Sequence, residues 1–367
     1  MTKDELAELL KRYQQGMCTA AEKRLIERLH LYSHDPKAAP SDDLVKDEIW
    51  QNIEAHTTGQ KRKNHRPVYS AAAAIMLLIG VYFLYHYMRP SPTPSAKQHM
   101  VVDIPAGGNR ATLKLSNGKR ITLDSLNAGI KMHASAVSYL NGVPVPGQRT
   151  NDDLSLSTFH ELETPKGGQY QLMLADGTKV WLNAASSIRF PSSFSNDLRE
   201  VTISGEVYFE IAQDKNRPFR VKTKNQHIQV LGTSFNVQAY PDEAVEHTTL
   251  VSGKIKIERE GFSEIIYPGH RASIATEGVT ISEVDTDETT AWRSGFISFN
   301  EQTLADIMQQ ISRWYNVRIS YEQVDPSLRF GGRVSRYANV SEVLRRLELT
   351  EQVRFKIDER RIVVMKY

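Results

Sequence analysis

Hydrophobic and polar positions alternate with different periods along this chain, and each change of period marks a boundary. Over residues 1–66 the period is helical: Leu6, Leu9, Leu10 and Tyr13 fall at i, i+3, i+4 and i+7. Thr19 is placed to cap a second helix carrying Leu25, Ile26 and Leu29, with Glu22 completing a capping box. Ser41 is placed to cap a third, with Val45, Ile49, Trp50 and Ile53. Stripes this narrow predict a small bundle with a marginal core, which either holds itself together or completes that core on a partner. Periodicity then disappears: PVYSAAAAIMLLIGVYFLYHYM, residues 67–88, holds no Asp, Glu, Lys or Arg. About 20 such residues span the hydrocarbon core of a bilayer. Lys61, Arg62, Lys63 and Arg66 precede the run, so one transmembrane helix is expected with residues 1–66 on the cytoplasmic side.

A Pro/Ser linker over 89–99 follows, and from residue 100 the period shortens to two. GGNRATLKLSNGKRITLDS (107–125) parallels GGQYQLMLADGTKVWLNAAS (167–186), and each copy reads strand, Asn-Gly or Asp-Gly turn, strand. The polar, turn-rich stretch between the copies reads as an insertion. Short alternating runs continue to residue 285 and predict an all-β body, with Trp181 and Phe209 filling its core. Residues 291–367 read β-α-β-β-α-β-β, with a helical stripe at Leu304, Ile307, Met308, Ile311 and Trp314 and a closing strand, Arg361–Val364, as a candidate exposed edge. The expected fold is therefore multi-domain. It comprises a small all-α cytoplasmic bundle (1–66), one transmembrane helix (67–88), an all-β periplasmic domain built as a sandwich or short solenoid (100–285), and a C-terminal α+β domain (291–367).

Charge and chemistry narrow the function mostly by exclusion. A net charge of +3 on 367 residues, and near balance of acid and base in the N-terminal stripes, disfavour direct nucleic-acid binding. The single cysteine, Cys18, rules out a disulfide within one chain. No HExxH, GxSxG or P-loop pattern occurs, and the eleven histidines lack ligand spacing, so neither a metal site nor a cofactor is expected. One feature asks for a reason. QVLGTSFNVQAY (229–240) alternates as a half-buried strand should, yet carries Gly232 followed by Thr233.

Three blocks, TPKGGQYQLMLADGTKVWLNAASSIRFPSSF, REVTISGEVYFEIAQDKNRPFRVKT and IQVLGTSFNVQAY, closely resemble the signature blocks of the FecR family of transmembrane anti-sigma factors. Residues 291–367 are similar to that family's C-terminal domain, which is related to the short N-terminal domain of secretins and TonB-dependent transporters. LAELLKRYQQGMCTAAEKRLIERL resembles the cytoplasmic anti-sigma segment of the Bacteroidota versions. The resemblance implies a regulator, not an enzyme. It would sit in the inner membrane, hold an extracytoplasmic-function sigma factor through residues such as Leu9, Leu10 and Trp50, and receive a signal from a TonB-dependent outer-membrane transporter. It also implies self-cleavage in some members, so Gly232 and Thr233 carry two readings: a bulge glycine before a strand threonine, or a step at which the Thr233 hydroxyl attacks the Gly232 carbonyl, with His227 or His247 as a helping base. The alternatives from other classes are a membrane-anchored DNA-binding regulator with a periplasmic sensor, which would need a basic recognition helix, and an envelope scaffold, which would leave residues 1–66 without a partner.

Overall fold

The computed structural model describes residues 103–133, 136–146 and 159–367. These described residues belong to one compact unit. The expected fold class is corrected here. The described chain is dominated by strands, 50% against 10% helix, and no helix among the described residues is long and apolar enough to cross a membrane. The helical bundle expected over 1–66, the span over 67–88 and the linker over 89–99 lie outside the described residues, as do Leu9, Leu10 and Trp50.

Turn chemistry starts the β body. Asn117-Gly118 and Asp176-Gly177 close two similar hairpins, with Gly118 and Gly177 at φ 84° and 86°, a region that costs glycine least. In each the glycine N–H bonds back to a leucine carbonyl: Gly118 to Leu115 at 2.9 Å and Gly177 to Leu174 at 3.0 Å. The strands assemble into two ladders that share one long member, Arg199–Glu210. The first runs Arg120–Thr122, Thr112–Lys114, Phe159–Thr164, Ser186–Pro191, the leading half of Arg199–Glu210, Phe219–Lys222, His227–Val230, Ile255–Arg259, Phe262–Ile266. The second runs Val137–Tyr139, Gly129–Met132, Gly168–Met173, Lys179–Leu182, the trailing half of Arg199–Glu210, Ser234–Ala239, Glu246–Ser252, His270–Ala275, Gly278–Glu283.

The shared strand changes ladders at Gly205, whose φ of 89° turns the backbone. Both ladders point alternate side chains into one core: Leu113, Leu162, Ile188, Val221 and Ile257 from the first, Ile130, Leu172, Phe209, Phe235 and Leu250 from the second. Trp181 does not join them. Val180 and Leu182 on either side of it point inward and are fully buried, so the strand's period of two turns Trp181 to the outer face.

A second hydrophobic core lies in the C-terminal residues. The helix Leu304–Tyr315 is capped by Thr303, whose hydroxyl accepts from the Asp306 N–H, and ends on Asn316 in the left-handed region. Its buried stripe packs with that of the helix Val340–Glu348, namely Val340, Val343, Leu344 and Leu347. Phe296–Thr303 pairs with Arg329–Ser335, while Arg318–Glu322, Arg361–Lys366 and Val353–Asp358 form a second sheet in that order. The closing strand is therefore central, bonded in parallel to one neighbour and antiparallel to the other. The exposed edge expected at Arg361–Val364 does not exist; the edges are Arg318–Glu322 and Val353–Asp358.

Candidate functional site

The two cores meet through polar side chains. The outer face of the second ladder presents Asn183, Glu206, Asn236 and Tyr240, each one strand position away from a core residue. Trp292, Arg313, Trp314 and Arg336 come from the C-terminal residues to cover them. Glu206 accepts from Asn183 Nδ2 at 2.6 Å and from Asn236 Nδ2 at 3.0 Å. Arg336, only 2% exposed, donates through one Nη to the Trp292 carbonyl at 2.7 Å and through the other to Asn183 Oδ1 at 2.8 Å. One amide thus stands between a half-buried carboxylate and a buried guanidinium. The guanidinium also lies 3.6 Å from the Trp314 ring centroid, a contact that gains strength when desolvated. Trp292 Nε1 closes the layer by donating to Asn236 Oδ1 at 3.2 Å.

Arg313 forms a second anchor. It lies 3.6 Å above the Tyr240 ring and reaches Glu243 at 2.5 Å and Asp242 at 2.9 Å. Arg293 forms a third, over Tyr208 at 4.1 Å and Trp181 at 5.2 Å, and pairs with Glu210 at 2.6 Å. A cavity of about 360 Å³ remains in this layer, walled by Glu206, His247, Arg271, Gln310 and Arg336 among others. Among the described residues no group of three or more His, Cys, Asp or Glu is placed to hold a metal ion.

Burial sets the charges here. It raises the Glu206 pKa against the pull of its two amide donors, and lowers that of Arg336 to about 10. It also pushes His247 down to about 4, with the positive Arg271 adding to the effect. The unfolded chain takes up this proton near 6.5 and the native protein only near 4, so the stability His247 contributes is present above 6.5 and is lost as pH falls toward 4. His160, also lowered by burial, acts in the same direction, whereas Glu206, being raised, acts in the opposite one. His247→Gln is therefore expected to shrink the loss of urea-unfolding free energy between about pH 7 and about pH 5; an unchanged pH slope would remove His247 from this role.

The Gly232-Thr233 step lies elsewhere, and the structure gives its reason. QVLGTSFNVQAY is not one strand. His227–Val230 belongs to the first ladder and Ser234–Ala239 to the second, and the chain crosses between them at 231–233. Gly232 has no positive φ; it is there for close approach, since an added Cβ would lie 3.0 Å from Gln213 Cα and Cβ. The register shift in this region falls two residues later, between Ser234 and Phe235. Thr233 is buried, its hydroxyl donates to the Lys254 carbonyl at 3.1 Å, and its carbonyl accepts from Ile211 N at 3.0 Å. His227 sits at the far end of its strand, opposite Glu258. His247 faces Ser273, with Nδ1 at 2.9 Å. Neither hydrogen-bonds the Thr233 hydroxyl, whose partner is a backbone carbonyl.

Sequence reasoning missed Asn183, Glu206, Asn236, Arg313 and Arg336. Each stands alone in an alternating or helical pattern, where an outward polar residue reads as solvated. The isolated signal was Trp292, a large aromatic between two elements.

Comparison with known proteins adds three findings. A family model described as FecR protein matches residues 160–256, and one described as FecR, C-terminal, matches 296–364. Crystal structures at 1.65 and 2.50 Å of a candidate anti-sigma factor from Parabacteroides distasonis ATCC 8503 are each 28% identical to this chain with a TM-score of 0.54. They cover 56% and 57% of it and 99% of their own length. No curated protein matches the chain.

Proposed function

We propose, because the chain belongs to the FecR family, that it is an anti-sigma factor whose residues 1–66 bind an extracytoplasmic-function sigma factor. The observation that carries the regulatory role is the 28% identity over 99% of a solved candidate anti-sigma chain. It is joined by the two family models, which fall one on each hydrophobic core.

The finer reading places residues 100–367 in the periplasm and residues 1–66 in the cytoplasm, held at the inner membrane. Its support is the basic run before residue 67. In that arrangement residues 291–367 take the signal from the periplasmic signalling domain of a TonB-dependent transporter, and the covered polar layer passes it to the β body. Energy enters only as differential affinity between the signalled and unsignalled states. Thr233 and Gly232 form a self-cleavage step, the single covalent reaction in this reading. It needs no cofactor.

The test is capture. A tagged full-length chain is expected to bring down a sigma factor from the source cell, and Leu9→Asp, Leu10→Asp and Trp50→Asp together are expected to release it, since each places a charge at an apolar contact. Retention of the sigma factor by the triple variant would place the interface elsewhere, and recovery of DNA in place of a sigma factor would favour a DNA-binding regulator.

A further inference from the structure

We propose that Gly253 is a positioning residue for the Gly232-Thr233 step, holding the Thr233 hydroxyl where it can reach the Gly232 carbonyl. The inference rests on the self-cleavage reading and deepens it. The chain crosses between the two ladders once at 231–233 and crosses back at 253–254, between Glu246–Ser252 and Ile255–Arg259. These two crossings lie against each other. A Cβ added to Gly253 would stand 2.8 Å from Thr233 Oγ1, 3.0 Å from the Gly232 carbonyl oxygen and 3.3 Å from Thr233 Cα. Any side chain on Gly253 would therefore collide with both reacting groups at once, the nucleophilic oxygen and the carbonyl that it attacks.

The next residue completes the arrangement, because the Lys254 carbonyl accepts a hydrogen bond from the Thr233 hydroxyl at 3.1 Å and so orients it. Gln213 also closes against Gly232, where an added Cβ would lie 3.0 Å from its Cα, Cβ and Cγ. The peptide between 232 and 233 is therefore crowded by both Gln213 and the Gly253-Lys254 corner. Such crowding limits the positions of the hydroxyl, and misplacement of a reacting atom by about 1 Å costs roughly a hundredfold in rate.

The reaction balances without an added reagent beyond water. The Thr233 oxygen bonds to the Gly232 carbonyl carbon as its proton leaves to a water base. The carbon–nitrogen bond breaks as the nitrogen takes up a proton, giving an ester and a free amine at Thr233. Water then hydrolyses the ester, leaving a carboxylate on Gly232 and restoring the hydroxyl.

Gly253 has φ 91°, so any substitution there brings backbone strain as well as a new contact. Gly118 separates the two, since its φ is 84° and an added Cβ would meet nothing within 4 Å. Full-length chain tagged at both ends is followed by immunoblot for the fragments ending at 232 and beginning at 233, with and without hydroxylamine, which intercepts the ester. Wild type and Gly118→Ala are expected to cleave alike and to be accelerated by hydroxylamine. Gly253→Ala is expected to cleave about a hundredfold more slowly, with no acceleration, while keeping wild-type trypsin resistance. If Gly253→Ala loses that resistance, Gly253→Asn, which tolerates positive φ better, takes its place in the comparison. Cleavage of the Gly253 variant at the wild-type rate would overturn the positioning role, as would equal loss in Gly118→Ala. A wild-type chain that stays whole, like Thr233→Ala, would instead end the self-cleavage reading beneath it.

Discussion

Arg336→Ala is expected to lower the unfolding free energy of residues 95–367 by about 3–5 kcal/mol, the cost of removing one member of a buried charge arrangement. Arg336 is held by the Trp292 carbonyl, Asn183 Oδ1 and the face of Trp314. Its loss leaves the half-buried Glu206 with amide donors alone and leaves the Trp292 carbonyl without this donor. Arg336→Lys keeps the charge but not the fork, and a single ammonium cannot reach both acceptors and stack on an indole, so it is expected to recover only part of the loss. Because the layer joins two cores, denaturant unfolding of the alanine variant should separate into two steps, the C-terminal core melting first. A loss under about 1 kcal/mol in a single transition would mean that the two cores are held together by something else.

Removal of residues 291–367 is expected to abolish response to the inducing signal altogether. The deletion takes away the candidate receiving residues and also uncovers the face on which they rest: Tyr208 and Tyr240, now buried, and Asn236, which loses Trp292. It exposes Ile104 too, which packs in the C-terminal core and whose carbonyl accepts from Val340 N at 3.0 Å. The truncated protein should therefore bind a hydrophobic dye more strongly, and sigma-dependent transcription should sit at one fixed level with or without the signal. Normal induction from the truncated protein would contradict the assignment of these residues to reception.

Local rules carried a good deal of this molecule. The Asn-Gly and Asp-Gly pairs become turns because their glycines take positive φ at little cost, and the Leu304–Trp314 stripe becomes a helix because its apolar positions share one face. Alternation told which residues share a face of a strand, not what covers each face. As a large aromatic Trp181 reads as core, yet its neighbours Val180 and Leu182 occupy the core, and Arg293 covers the indole from outside. The same limit hid Glu206 and Asn236. Arg361–Val364, in the last strand of the chain, reads as an exposed edge, but parallel pairing with Arg318–Glu322 on one side and antiparallel pairing with Val353–Asp358 on the other places it in the middle. The crossing at Gly232 was hidden because two short strands in different ladders read as one when the period of two runs through the join.

The order of the ladders has a mechanical consequence. Every strand of the β body before residue 231 lies on one side of a line through both ladders, and every strand after 233 lies on the other. In the first ladder the line falls between His227–Val230 and Ile255–Arg259, and in the second between Gly205–Glu210 and Ser234–Ala239. Within the β body the peptide that spans 231–233 is the one covalent tie across that line. With this tie intact, tension applied at the C-terminus is borne by the chain. With it opened, the same tension falls on non-covalent contacts: the shared core, side-chain bonds such as Asn236 to Glu206, and two short rows of backbone hydrogen bonds, in register from Gly205 opposite Ala239 to Glu210 opposite Ser234 and from His227 opposite Glu258 to Gln229 opposite Lys256. Opening the tie would give the β body a built-in parting line, across which the two halves hold to each other without a covalent bond.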